Sequence, residues 1–218
     1  NPVHEDMVFA ARAARLSFIC NVVLNAQKRV VYAVAGDCIK AHETGCYFLR
    51  ERCGAQAVKA DISVTTNGGY PLDQNVYQTV KGMTAAEVTV RKGGVIIMLS
   101  RSEDGHGGEE FLRAFAEEPD HGRLLERFRR TPRDHTRIDQ WQSQIFARVL
   151  SHADVVYVSD APDDMIRVLH MTPAHSLDEA LRVAETKLNN PNATIVAIPD
   201  GVGVIIEKLP AVTADFAN

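Results

Sequence analysis

Residues 65–82 read TTNGGYPLDQNVYQTVKG. The run that leads into them, AVKADISVTT, has the β-branched content of a strand, and the Gly-Gly-Tyr-Pro that follows is a sharp loop. The segment after the loop is helical and carries Tyr77, Gln78 and Lys81 on neighbouring positions. A strand that ends in a loop and enters a helix is the unit of α/β proteins, which place binding groups in such loops.

The same alternation extends in both directions. Upstream, NPVHEDMVFAARAARL reads as a helix with Pro2 in its first turn, followed by the strands SFICNVVLN and RVVYAVAG and a helix from Cys38 to Cys53 stopped by Gly54. Downstream, two short helices are expected. One ends near Gly82, and the next starts at Thr84-Ala85-Ala86-Glu87, a capping-box pattern. The apolar run GVIIMLS at 94–100 reads as a buried strand that feeds a glycine-rich loop, RSEDGHGG, and the helix EEFLRAFAEE. Then come HGRLLERFRR, RIDQWQSQIFARVLSHA, the strand DVVYVSD, a helix capped at Ser176 with Glu179 in box position, and the strands ATIVAIP and GVGVIIEKL. Residues 210–218 read as a loose tail. Short connections between alternating elements predict an α/β fold with a parallel or mixed sheet.

Composition bounds the function. A chain of 218 residues, 45% hydrophobic and 24% charged, has room for one large or two small globular domains. It holds no apolar run long enough to span a bilayer and no leading basic-then-apolar signal, so a cytoplasmic setting is expected. Its first residue is Asn1, as in a processed chain, a fragment or one piece of a split protein. A net charge of −4 argues against a nucleic-acid partner, and the basic stretch RLLERFRRTPR at 123–133 reads as a solvated helix face. Cys20, Cys38, Cys46 and Cys53 lack CxxC spacing, and reduced, mostly buried thiols are expected. Cys38, His42 and Cys46 share one helical stripe, a geometry able to bind a metal, but Cys and aromatic residues are common core residues and a core-facing stripe is the expected reading.

Chemistry concentrates around the opening stretch. With a helix from near Leu72, Gln78 and Lys81 stand at i, i+3 and Tyr77 and Lys81 at i, i+4, so the three side chains reach one locality. An ammonium and a carboxamide together suit a carboxylate with an adjacent oxygen, and a solvated helix face is the alternative. The DGHGG loop at 104–108 is able to present N–H groups to an anion, with His106 its only titrating group in the neutral range.

The stretch TTNGGYPLDQNVYQTVKGMTAAE, with VIIMLSRSEDGHGGEEF after it and RIDQWQSQ further on, closely resembles the C-terminal half of the nickel-dependent lactate racemase family. The resemblance runs from NPVHEDM to IPDGVGVII. It implies a two-domain α/β isomerase that racemises or epimerises 2-hydroxy acids through a nickel-pincer nucleotide. In that family, the resemblance implies, a histidine takes the hydroxyl proton while the cofactor takes the α-hydride. It also implies that Gln78 and Lys81 contact substrate, that Tyr77 lines the site and that Trp141 stands beside the substrate. The family's catalytic histidines, cofactor-bound lysine and nickel ligand belong to the N-terminal half. This chain is therefore expected to hold no catalytic or metal-ligating residue of its own, to pair with that half and to be inactive alone. Residues 1–55 are expected to complete the other half's domain, 56–178 to form the substrate-contacting domain, and 179–218 to return to the first. The competing expectation is a stand-alone anion or nucleotide binding module without catalysis.

Overall fold

The computed structural model describes residues 2–207. They divide into two compact units on either side of the Gly54–Ala55 bond. The first unit contains α1 (Pro2–Ala13), the antiparallel pair β1 (Ile19–Leu24) and β2 (Val30–Gly36), and α2 (Cys38–Cys53). Asp37 starts α2 by accepting the N–H groups of Ile39 and Lys40. A helix against a two-stranded ribbon encloses little core, and within α2 only Ala41 is buried. The expectation of buried thiols therefore fails: Cys20 and Cys46 are exposed, and Cys38 and Cys53 are half-buried.

The second unit opens with β3 (Gly54–Gln56) and β4 (Ala60–Thr66), then α3 (Val76–Thr89) and β5 (Val90–Leu99). Next come α4 (Glu109–Glu117), α5 (His121–Arg130), α6 (Gln140–His152), β6 (Asp154–Val158), α7 (Asp163–Val168) and β7 (Thr172–Ala174). The unit closes with α8 (Leu177–Leu188), β8 (Ile195–Ile198) and β9 (Ile205–Glu207), which pairs with β3. The main sheet has five parallel strands in the order β7-β6-β5-β4-β8. It bears out the α/β fold with a largely parallel sheet.

Alternation along β5 explains the layers. Ile96 and Met98 point into a core with Val80 and Met83 of α3, Phe111 and Phe115 of α4, and Phe146 of α6. Val95 and Ile97 point the other way, into a smaller core with Ala180 and Ala184 of α8. A strand with helices on both faces is apolar at successive positions, which is how GVIIMLS reads. Fully burying one such side chain stabilises the fold by about 1.5–3 kcal/mol before entropy is counted.

Four expectations need correction. The two short helices are one, α3, and Gly82 lies inside it. Thr84 does not cap a new helix; its hydroxyl donates back to the carbonyl of Lys81 at 2.6 Å. The short α7 and β7 were hidden in SDAPDDMIRVLHMTPA, which carries too few apolar repeats to show a period. Finally, α8 and β8, expected to return to the other half, belong to this sheet: α8 covers one face and β8 pairs with β4. The last expected strand narrows to β9 among the described residues, and the loose tail at 210–218 lies outside them.

Candidate functional site

The chain runs from β4 outward through β5, β6 and β7, then returns to place β8 on the opposite edge of β4. The C-terminal ends of β4 and β8 thus form the topological switch point, where open parallel sheets leave a crevice for ligands. The loop after β4 lies at this place. Asn67 bridges to Asp200, and the N–H of Gly201 donates to the carbonyl of Thr66 at 2.9 Å. Gly68 and Gly69 have φ of +74° and +91°, a region closed to most side chains, and they turn the chain back toward α3.

Asn67, fully buried, ties that loop to the helix. Its side-chain amide donates to the carbonyls of Leu72 at 2.6 Å and Gln78 at 2.8 Å. Its oxygen accepts the N–H of Gly82 at 3.0 Å. In a regular helix the Gly82 N–H would bond the Gln78 carbonyl directly. Here a carboxamide bonds both groups, tying the ladder of α3 to the loop. A side chain at position 82 would collide with the Asn67 oxygen and stand 2.9 Å from the carbonyl of Thr66, which is why glycine occupies the middle of this helix.

The start of α3 is closed by protein. Val76 and Tyr77 donate their N–H groups to the carbonyls of Gly105 and His106, and Gln78 donates to the side chain of Asn75. The DGHGG loop therefore faces the helix with carbonyl oxygens, and the expected cradle of N–H groups for an anion is not formed there. His106 is held locally, its Nδ1 accepting the N–H of Gly108 at 3.1 Å.

The predicted site residues fall into two pairs, Gln78 with Lys81 on α3 and Tyr77 of α3 with Trp141 of α6. Lys81 donates its ammonium to Gln78 Oε1 at 2.6 Å, as the i, i+3 spacing predicts. No carboxylate among the described residues forms a salt bridge with Lys81, whose hydrogen-bond partner is a neutral amide. Tyr77, about 100° round the helix axis from Gln78, makes a separate set of contacts. Its hydroxyl donates to Asp139 at 3.0 Å, and its ring meets Trp141 edge-on at 6.3 Å and Phe111 at 5.6 Å. Burial, reinforced by the Asp139 carboxylate, pushes the Tyr77 phenol up to about 12. Trp141 is 55% exposed, so it is not the core residue that its helical position would also allow.

Three contributors were not singled out in the sequence. Asn67 sits inside the opening stretch, but its role depends on Gly82, fifteen positions on, and only the fold joins them. Asp139 and Gln142 flank Trp141, and the buried Gln142 amide donates to the carbonyl of Tyr77 at 2.7 Å. Beneath the loop, the Tyr157 hydroxyl contacts Thr79 at 3.0 Å and Ser102 at 2.7 Å. Ser102 in turn meets Ser100 at 2.9 Å, Ser100 donates to the carbonyl of Asp73, and Thr79 donates to that of Val76. Burial pushes the Tyr157 phenol up, which keeps it a neutral member of this network.

His42 Nε2 and Cys46 Sγ lie 3.3 Å apart, but among the described residues no three His, Cys, Asp or Glu side chains gather as a metal site. Among these residues, too, no helix is long and apolar enough to cross a membrane.

The family model described as lactate racemase C-terminal domain matches residues 55–206. The lactate racemase of Lactiplantibacillus plantarum is 49% identical over 208 residues, which make up 95% of this chain and 49% of that protein. The lactate racemase of Thermoanaerobacterium thermosaccharolyticum is 47% identical over 209 residues, with the same shares. The structure of the lactate racemase apoprotein from the latter organism matches with a TM-score of 0.93 at 46% identity, covering 95% of this chain and 50% of that one. A crystal structure of a Thermotoga maritima protein, at a TM-score of 0.51 and 14% identity, shares the fold alone. The chain thus spans about half the length of the curated relatives it matches. A family model that covers the whole sheet, together with near-half identity along 95% of the chain, establishes that the chain belongs to the lactate racemase family, as its C-terminal part.

Proposed function

We propose that the chain is the substrate-contacting half of a racemase of lactate or a related 2-hydroxy acid. Lys81 carries the reading: an ammonium whose partner is a neutral amide, beside the switch-point crevice of a parallel sheet. A carboxylate arriving there gains a charge-assisted bond from Lys81 and a donor from the Gln78 amide, whose oxygen already faces Lys81. Tyr77 and Trp141, edge-on to each other at 6.3 Å, are the two further residues that this reading places beside the substrate. This chain's task is to fix the acid so that its α-carbon faces the reacting group.

The reacting group is a nickel-pincer nucleotide, which supplies reversible hydride transfer when bound. We assign its binding mainly to the N-terminal half of the complete enzyme, because among the described residues no three His, Cys, Asp or Glu side chains gather as a metal site. Metal analysis of the dialysed chain is expected to find no stoichiometric nickel, and stoichiometric nickel would overturn that assignment. Residues 1–55 complete the domain of the N-terminal half. Phe9, Phe18, Val30 and Val31 in that segment are each more than half exposed, an apolar surface suited to cover by protein.

Trp141 gives a direct test, since it is the chain's only tryptophan. In the reconstituted enzyme, with cofactor bound, adding lactate is expected to change its emission. An active enzyme with a silent Trp141 would remove that residue from the substrate site. A binding module without chemistry would give the emission change but no racemisation.

A further inference from the structure

We propose, building on the substrate site described above, that Asp139 is a positioning residue: it turns the hydroxyl proton of Tyr77 toward itself. Tyr77 then meets the substrate with a ring edge and oxygen lone pairs, and has no proton to give. The assignment starts from an irregularity. Asp139 is the N-cap residue of α6, yet its φ of 61° and ψ of 8° are left-handed, and its side chain accepts no N–H of the helix it precedes. An aspartate at an N-cap ordinarily has extended backbone and caps with its carboxylate. Both departures are locally unfavourable, and such outliers persist where the surroundings hold them for a purpose.

Here the left-handed turn aims the carboxylate inward. Ile138 just before it is 79% exposed and Trp141 two positions on is 55% exposed, but Asp139 Oδ1 lies 3.0 Å from the Tyr77 hydroxyl. A carboxylate is a pure acceptor, so the shared proton belongs to Tyr77 and points at Asp139. Burial and this contact both keep the phenol protonated far above neutral pH. Gln142, on the same turn of α6, holds the backbone of Tyr77 through its carbonyl, so one short segment fixes both ends of the residue. The chemical consequence is selective. A 2-hydroxy acid donates its own O–H to a phenol oxygen that has only lone pairs to offer, whereas a 2-keto oxygen cannot donate.

Two measurements test this. In the full chain, a ring-fluorinated tyrosine placed at position 77 is titrated by fluorine NMR. Asp139→Asn preserves a side chain that tolerates the left-handed turn but removes the charge. The phenol midpoint is expected to fall by about one unit, and an unchanged midpoint would overturn the proposal, because a purely structural Asp139 would leave it in place. In the complete enzyme at matched cofactor occupancy, Asp139→Ala is expected to lower kcat/KM for lactate about 10-fold. Asp139→Asn should restore part of this loss through its amide oxygen. Combining Asp139→Ala with Tyr77→Phe should cost no more than the larger single effect, since both act through one contact. Additive losses would overturn the proposal. A shifted midpoint together with a fully active Tyr77→Phe enzyme would instead overturn the placement of substrate beside Tyr77, and with it the positioning role.

Discussion

Replacing Lys81 by alanine in the complete enzyme is expected to lower kcat/KM by about 10- to 150-fold, the equivalent of a charged hydrogen bond worth roughly 1.5–3 kcal/mol. The geometry makes Lys81 the residue whose loss should be felt. The N–H groups at the start of α3 already donate to Gly105, His106 and Asn75, so helix N–H groups cannot take over the negative charge of a bound acid. Gln78→Ala should cost less, because it removes a neutral donor and leaves the ammonium. Lys81→Arg should also lower kcat/KM, since a planar guanidinium does not reproduce a compact ammonium resting 2.6 Å from the Gln78 oxygen. Steady-state kinetics at measured cofactor occupancy decides the point. Normal kcat/KM in Lys81→Ala at full occupancy would return this helix face to solvent and place the carboxylate elsewhere.

The largest expected change in stability comes from Asn67. Truncation to alanine removes the partner of the buried Gly82 N–H and of the part-buried carbonyls of Leu72 and Gln78. At about 1–3 kcal/mol for each unsatisfied buried group, the loss should reach about 3 kcal/mol or more. Asn67→Asp is the sharper variant. It keeps the shape and the acceptor but replaces the amide nitrogen with an oxygen that faces two carbonyls, so it should lose as much. Urea unfolding of the chain, with the midpoint shifted and the slope unchanged, is the measurement. A loss under about 1 kcal/mol would mean that water or backbone relaxation replaces the inserted amide.

What was legible in the sequence follows the range of the signal. Strands such as GVIIMLS and helices with a cap, such as the one Ser176 begins, announce themselves over a few residues, and they appear where expected. The Glu179 N–H donates to the Ser176 hydroxyl, as the box pattern predicts, while its carboxylate reaches one residue further back and accepts the N–H of His175. The same pattern at Thr84 misled, because a tertiary contact from Asn67 carries the helix through Gly82, and no local rule contains that partner. For the site, the i, i+3 relation of Gln78 and Lys81 was readable. The turning of Tyr77 toward Asp139 was not, since 62 positions separate them and a left-handed residue of α6 makes the contact.

The hydroxyl network below the loop has a further property, which emerges on counting protons. Thr79, Tyr157, Ser102 and Ser100 are joined to one another and to the carbonyls of Val76 and Asp73 by five contacts, but each hydroxyl brings a single proton. The outer two contacts need a proton each, so the three inner ones share two. One oxygen pair always faces without a proton between, much as at an orientational fault in ice. The fault sits at any of the three inner links, and it moves when a hydroxyl rotates, with no heavy atom displaced. The floor of the loop that leads to Gln78 and Lys81 is thus rigid in its atoms and adjustable in its dipole, able to realign as charge arrives above it.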